Sequence, residues 1–293
     1  MRKAVFLFVV ACIVYLPTFA NQFVWDDEQF ITKNVLVQHI SNWPMYFTTN
    51  TIAGAGLNSN YYRPLTTLSF AIDTAIWGKH TFGFHLTNLL LHAIGGVLVY
   101  VLLKKLLSLH SSSPTYDLLA YVTAFAFVLH PAQVEAVAYI NSRGDSLSLV
   151  YGSLMILALM AIQKTSSDNK RILLGFASVV SFWIALLTKE SAIAWAGVAT
   201  LCVGLLLAKL VKVRPGVYFT AALHVISALG YLVLRFTVLQ FQSTNDVWGP
   251  SSVYAHSLST RLMTFFFVAI PQYLSILIWP LGLHMEREMK LVF

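Results

Sequence analysis

FHLTNLLLHAIGGVLVYVLL, residues 84–103, carries no Asp, Glu, Lys or Arg and ends against Lys104-Lys105. An α-helix needs about 20 predominantly apolar residues to cross the hydrocarbon core of a bilayer. In that medium every backbone N–H and C=O must find its partner inside the segment, which a helix provides. The stretch therefore reads as a membrane span. Working outward, comparable apolar runs fall at 4–20, 117–131, 146–162, 172–188, 191–208 and 216–239, with another at 260–281. Pro271 and Pro280 interrupt this last run, so it reads either as a further span or as a helix lying at the interface.

Composition agrees. Of 293 residues, 57% are hydrophobic and 11% charged, and mean hydropathy is +0.70. Soluble domains carry roughly 25% charged residues, so a water-soluble fold has nowhere to hide this much apolar side chain. The expected fold is an all-α polytopic membrane protein of about seven or eight transmembrane helices. It is read as one membrane domain over 1–293, with 4–20 as first span, 21–82 as a large first external loop, and 84–239 as spans two to seven. Arg2-Lys3 before the first run and Thr18-Phe19-Ala20 at its end also resemble a cleavable signal. The retained span is preferred because membrane protein follows it.

The net charge of +7 does not imply nucleic acid, because the cations are dispersed. Arg2-Lys3, Lys104-Lys105, Lys164 with Lys170-Arg171, and Lys209-Lys212-Arg214 separate hydrophobic runs. Alternating topology places all of these groups on one side, the cytoplasmic side by the positive-inside rule. Cys12 and Cys202 each lie within an apolar run, which argues against a disulfide framework.

That topology sends the remaining ionisable residues to the external helix ends: Asp26, Asp27, Arg63, His85, His130, Glu135, Arg143, Asp145, Lys189, Glu190, Arg235 and Arg261. Such groups at the edge of lipid are costly unless paired or wet, so their collection on one face marks a candidate site. Individually, each is also compatible with a helix end that simply faces water. Asp26-Asp27 can supply a general base or hold a divalent cation beside a phosphate. Consecutive side chains diverge, so one carboxylate is expected to react while the other orients; the alternative is a helix N-cap with a solvated neighbour. Arg63, Arg143, Lys189 and Arg235 suit an anionic lipid head group. Alternatively, Arg143 and Lys189 pair with Asp145 and Glu190 for structural ends. His85, Asn88 and His92, spaced i, i+3, i+7, share one helix face. His92 on that face reads first as a hydrogen-bonded packing residue and less readily as a metal ligand.

Several motifs occur together and in order: Tyr62-Arg63-Pro64-Leu65, Phe84-His85-Leu86-Thr87-Asn88 to His92, Leu129-His130-Pro131 to Glu135-Ala136-Val137-Ala138, Ser142-Arg143-Gly144-Asp145-Ser146-Leu147, and Thr188-Lys189-Glu190. Across most of 20–283 the chain resembles the membrane portion of the transmembrane and tetratricopeptide-repeat-containing O-mannosyltransferases and their bacterial relatives. The fourth and fifth elements differ slightly: the family has Gly-Arg-Ala-Asp-Leu-Leu near Arg143 and Cys-Lys-Glu near Lys189. No tetratricopeptide repeats occur, and the family continues with more spans, so the chain is expected to be C-terminally short.

The resemblance implies a GT-C-type fold and transfer of a mannose-like sugar from a polyprenyl-phosphate carrier to a protein or glycan hydroxyl. The reaction would occur at the lumenal or periplasmic face of the endoplasmic reticulum or bacterial inner membrane, with the N-terminus cytoplasmic. By this resemblance Asp26 or Asp27 handles the acceptor hydroxyl. Arg63, His85, His130, Glu135, Arg143, Asp145, Lys189, Glu190 and Arg235 surround the donor. No cofactor beyond the lipid-linked sugar is implied, and a divalent cation stays open. A lipid or solute transporter and a silent scaffold are the competing readings; a transporter would place its polar groups near the midplane, on related halves.

Overall fold

The structure, a computed structural model, describes residues 1–209, 212–239 and 257–283. Among these residues it is built from helices and turns, with no strand. Among the described residues, seven helices are long and apolar enough to cross a membrane: Arg2–Ala20, Thr81–Leu107, Ile140–Lys164, Asp168–Thr188, Glu190–Lys209, Pro215–Thr237 and Leu258–Ile278. An eighth crossing arises if Pro114–Leu129 and Pro131–Ala138, bent by 55° at His130-Pro131, form one broken span. The chain is a multi-pass α-helical membrane protein.

We label α1 Arg2–Val14, α2 Trp43–Tyr46, α3 Pro64–Trp77, α4 Thr81–Leu107, α5 Pro114–Leu129, α6 Val134–Ala138, α7 Arg143–Lys164, α8 Asp168–Thr188, α9 Ala194–Lys209, α10 Pro215–Thr237 and α11 Leu258–Ile278. Local chemistry sets many of the starts. Pro64, Pro114 and Pro215 occupy first-turn positions, where the missing N–H costs no helical bond. The hydroxyls of Ser113, Ser167 and Ser257 accept from Thr115, Lys170 and Thr260 N–H groups. Helix α3 stops at Gly78, whose φ of +61° is open to glycine and whose N–H closes on Thr74 O at 2.8 Å.

The run at 260–281 resolves as a single apolar helix over Leu258–Ile278. Pro271 is tolerated because a π turn over Phe265–Ala269 precedes it and rearranges the backbone bonds the ring would break. Its Pro280 end lies just outside the helix.

Two packed groups make up the bundle. Helix α7 runs through the larger one, its Met155, Ile156 and Leu159 buried against Phe182 and Leu186 of α8, Ala199 and Leu206 of α9, and Val217 of α10. Helices α1, α4 and α5 form the smaller group around Leu7, Tyr100, Ala120 and Ala124. Without a hydrophobic drive between helices in lipid, close contact depends on small residues at crossings. A Cβ at Gly96 would meet Val128, and one at Gly152 would meet the indole of Trp195. Outward surfaces are apolar instead: Ile172, Leu201 and Phe219 are largely exposed, as expected of side chains that face lipid.

The basic groups gather at one end of the bundle. Lys3 and Lys104 both reach Asp117, at 2.6 and 2.7 Å, tying α1, α4 and α5 together. Asp26-Asp27, Arg63 and the start of α7 lie at the opposite helix ends. In the segment 21–82, α3 folds back against the bundle, with Thr66, Phe70 and Asp73 buried and Ile72 and Ile76 exposed.

Candidate functional site

The site is organised by the turn that leads into α7. Residues Ile140–Ser142 form one turn of 3-10 helix, and Arg143 begins the helix proper. The backbone N–H of Asn141 donates to Asp27 Oδ1 at 3.0 Å. The other Asp27 oxygen accepts from Val24 N at 3.0 Å, and Asp27 N donates back to Val24 O. Asp27 is fully buried, whereas Asp26 is exposed. The two carboxylates therefore do different work, and Asp27 does not cap the helical turn that follows it.

Between the closed Val24–Asp27 pair sits Trp25 at φ +56°, a left-handed conformation costly for a bulky residue. Its ring is half exposed beside Asp26 in the chain. The strained turn presents Trp25 and Asp26 outward while Asp27 anchors it from below.

Burial is the main reason the Asp27 carboxyl is pushed up to about 6. The charge of Asp26 acts in the same direction, while the two backbone N–H bonds and the charge of Arg143 oppose the shift. Half-buried Tyr139 lies beside the Asp26 carboxylate, and its hydroxyl accepts from Asn141 Nδ2 at 3.4 Å. Burial holds the Tyr139 phenol above its ordinary range, and both neighbouring carboxylates reinforce this. A phenol kept protonated next to Asp26 can donate to that carboxylate.

Arg143 is fully buried. Its Nη2 forms an ion pair with Asp73 Oδ2 at 2.5 Å and donates to Phe84 O at 3.0 Å. Nε donates to Asn88 Oδ1 at 2.8 Å, Nη1 donates to Ser69 Oγ at 3.3 Å, and the group stacks over Phe70. This guanidinium thus bolts α3 and α4 to α7 and is not free to grip a phosphate in this state. The expected Arg143 pairing with Asp145 or Glu190 gives way to Asp73, brought inward by the folding back of α3.

Lys189 pairs with Asp145 at 2.6 Å, and Arg63 pairs with Glu190 at 3.0 Å. Glu190 also accepts from Tyr62 N. Lys189 and Glu190 are consecutive in the chain, and the start of α7 packs on them: a Cβ on Gly144 would lie 3.5 Å from Lys189 Cβ and 3.1 Å from Thr188 O. The Lys189–Asp145 pair is the more exposed of the two, whereas the Arg63 side chain is largely buried and also stacks on Tyr61.

His85, Asn88 and His92 do share one face of α4, and all three are buried. Asn88 bonds Arg143 and the carbonyls of Tyr139 and Ile140. His92 reaches Val128 O at 3.2 Å and stands edge-on to Tyr15, which is the role of a packing residue. His85 has no exposed surface and packs near Asn21 and Val137. His130 is spent at the bend, bonding Ala132 N and Leu277 O. Glu135 is exposed on α6, and Arg235 caps its own helix end through Leu239 O at 3.4 Å. Among the described residues no hydrogen bond or ion pair joins these three to the α7 turn, nor do three or more His, Cys, Asp or Glu form a potential metal cluster.

Asp26, Asp27, Arg63, Arg143, Asp145, Lys189 and Glu190 thus converge around one turn. Sequence reasoning missed Asp73, Ser69, Tyr139 and Asn141. A carboxylate within an otherwise apolar amphipathic stretch was the available signal for Asp73.

The chain is 32% identical to human protein O-mannosyl-transferase TMTC1 over 183 residues, covering 61% of this chain and 20% of that protein. It is 26% identical to the Caenorhabditis elegans protein O-mannosyl-transferase F38B6.6, covering 66% and 28% respectively. Similarity to Drosophila melanogaster Tmtc1 extends over 97% of this chain and 34% of that relative, at 27% identity. The chain is related to the TMTC protein O-mannosyl-transferases. It spans about a third or less of the length of these TMTC relatives. No family model and no solved structure matches it.

Proposed function

We propose that this chain is the membrane-embedded portion of a GT-C-type glycosyltransferase that transfers a mannose-like sugar from a polyprenyl-phosphate carrier to a protein hydroxyl. The names of the TMTC relatives support the reaction class. The structural observation that carries the reading is the split of the Asp pair, Asp27 buried and doubly bonded, Asp26 exposed beside the Tyr139 phenol.

In this reading Asp26 accepts the proton of the acceptor hydroxyl as its oxygen attacks the anomeric carbon. The bond from that carbon to the phosphate oxygen breaks, and polyprenyl phosphate leaves with the electron pair. One displacement inverts the anomeric centre. Lys189 and Arg63 turn from Asp145 and Glu190 toward the departing phosphate and stabilise its growing charge. Asp27 and Arg143 hold the geometry and touch neither substrate. The site would face the lumen or periplasm, opposite the basic cytoplasmic end.

Purified protein supplied with polyprenyl-phosphate mannose and an acceptor should release polyprenyl phosphate, and Asp26→Asn should abolish release while the protein stays monodisperse. Running the assay with and without chelator tests a divalent cation beside Asp26. Release that survives Asp26→Asn overturns the assignment.

A further inference from the structure

At the basic end of the bundle, away from the Asp26 site, a cavity of about 250 Å³ opens between α4, α7 and α9. Its walls are Leu109, Met160 and Leu206, and Lys105, Lys164 and Gln163 complete it. Gln163 is already committed: Nε2 donates to Lys212 O, and Oε1 accepts from Arg214 N. The two lysines are different. Both line the same cavity, and among the described residues neither has a carboxylate partner. Lys105 is partly buried, and its ammonium meets only the Leu157 carbonyl, at a long 3.5 Å.

Lys3 and Lys104, at the same end, share Asp117. The fold thus neutralises one lysine pair with its own acid and leaves the other facing an apolar-walled cavity. Lys164 is exposed at the mouth of the cavity and Lys105 is partly buried in its wall, and an ammonium held partly out of water without a counter-ion is costly unless an anion reaches it. The apolar walls match acyl chain and the lysines match a phosphate, so the complementary ligand is amphiphilic. We propose that this cavity binds the head group of an anionic phospholipid, with the phosphate between Lys105 and Lys164 and the upper acyl chain against Leu109, Met160 and Leu206. A basic pocket between membrane helices is a suitable receptor for such lipids. The proposal is independent of the glycosyltransferase reading.

Native mass spectrometry and thermal shift on the purified full chain test it, with phosphatidylglycerol as probe, phosphatidylcholine as neutral lipid and inorganic phosphate as the free anion. Phosphatidylglycerol should be retained and should raise Tm, while phosphatidylcholine and phosphate should not. Lys105→Gln combined with Lys164→Gln should weaken phosphatidylglycerol binding about thirty-fold, each cation contributing what a lysine contributes beside an anionic leaflet. Lys105→Arg with Lys164→Arg should restore it, and Lys170→Gln should leave it unchanged. Monodispersity of each variant on size exclusion separates lost binding from lost folding. Equal retention of phosphatidylcholine, stabilisation by phosphate alone, or undiminished binding in a well-folded double Gln variant overturns the proposal.

Discussion

The Arg143 guanidinium lies 2.5 Å from the Asp73 carboxylate, with essentially no solvent reaching either side chain. The pair joins α3, in the long segment after the first span, to the start of α7. It therefore fixes the loop carrying the candidate base relative to the bundle.

Arg143→Gln should destabilise the protein strongly, by about 4 kcal/mol, because it leaves the Asp73 charge buried and unpaired. Asp73→Asn should cost a comparable amount. Combining them should cost less than the sum, since the second change removes the group the first stranded. Thermal unfolding in detergent reads all three, and strict additivity would show that the two side chains do not act as a pair.

Asp27 makes stability depend on pH. Its folded-state pKa of about 6 lies above its ordinary 3.8, so between those values the folded protein holds a proton that the unfolded chain has lost. Stability should fall as pH rises from about 4 to 6, by on the order of 3 kcal/mol, and then level off. The contribution is fully favourable only below the unfolded value. Asp27→Asn should remove this slope while losing one of the two backbone bonds, and Tm measured across pH 4–7 checks both.

Tyr139→Phe should lower sugar transfer about tenfold without lowering Tm, since the half-buried ring stays and only the hydroxyl beside Asp26 is lost. The pH at which transfer rises should shift in Tyr139→Phe, because the hydroxyl beside the Asp26 carboxylate is the group removed. Transfer assays of Tyr139→Phe across pH give the comparison, and unchanged transfer with an unchanged pH profile would place the phenol outside the reaction.

Gly152→Ala should destabilise the bundle by about 2 kcal/mol, because its Cβ would fall 2.0 Å from the Trp195 indole. Trp195→Leu in the same chain should recover much of the loss. Thermal shift of the two variants decides it, and a neutral Gly152→Ala would mean that α7 and α9 can separate freely.

The positions of the spans were legible because the bilayer penalty applies to average polarity over about 20 residues. The run 84–103 sits inside Thr81–Leu107, and 191–208 inside Glu190–Lys209. Boundaries moved by a turn where local capping, as at Ser113 and Ser167, decides the start. The run 117–131 ends at Pro131 by sequence, and the structure turns by 55° there and continues as Pro131–Ala138. For the candidate site, sequence assigned its ionisable residues to one end of the bundle, and the structure brings only some of them together at the turn before α7. His130, Glu135 and Arg235 share that end without joining the turn before α7, since topology assigns a side and not a neighbour.

What the sequence alone determined is the helical membrane architecture and the separation of basic groups from the mixed acid–base end, both consequences of which side chains lipid excludes. Tertiary structure decided the partners. Asp27 meets Asn141, Arg143 meets Asp73 instead of Asp145 or Glu190, and Lys105 and Lys164 line one cavity. These pairings depend on how α3 folds back and how helix ends come to adjoin, which is set by packing between segments distant in the chain. No periodicity within one segment carries that information.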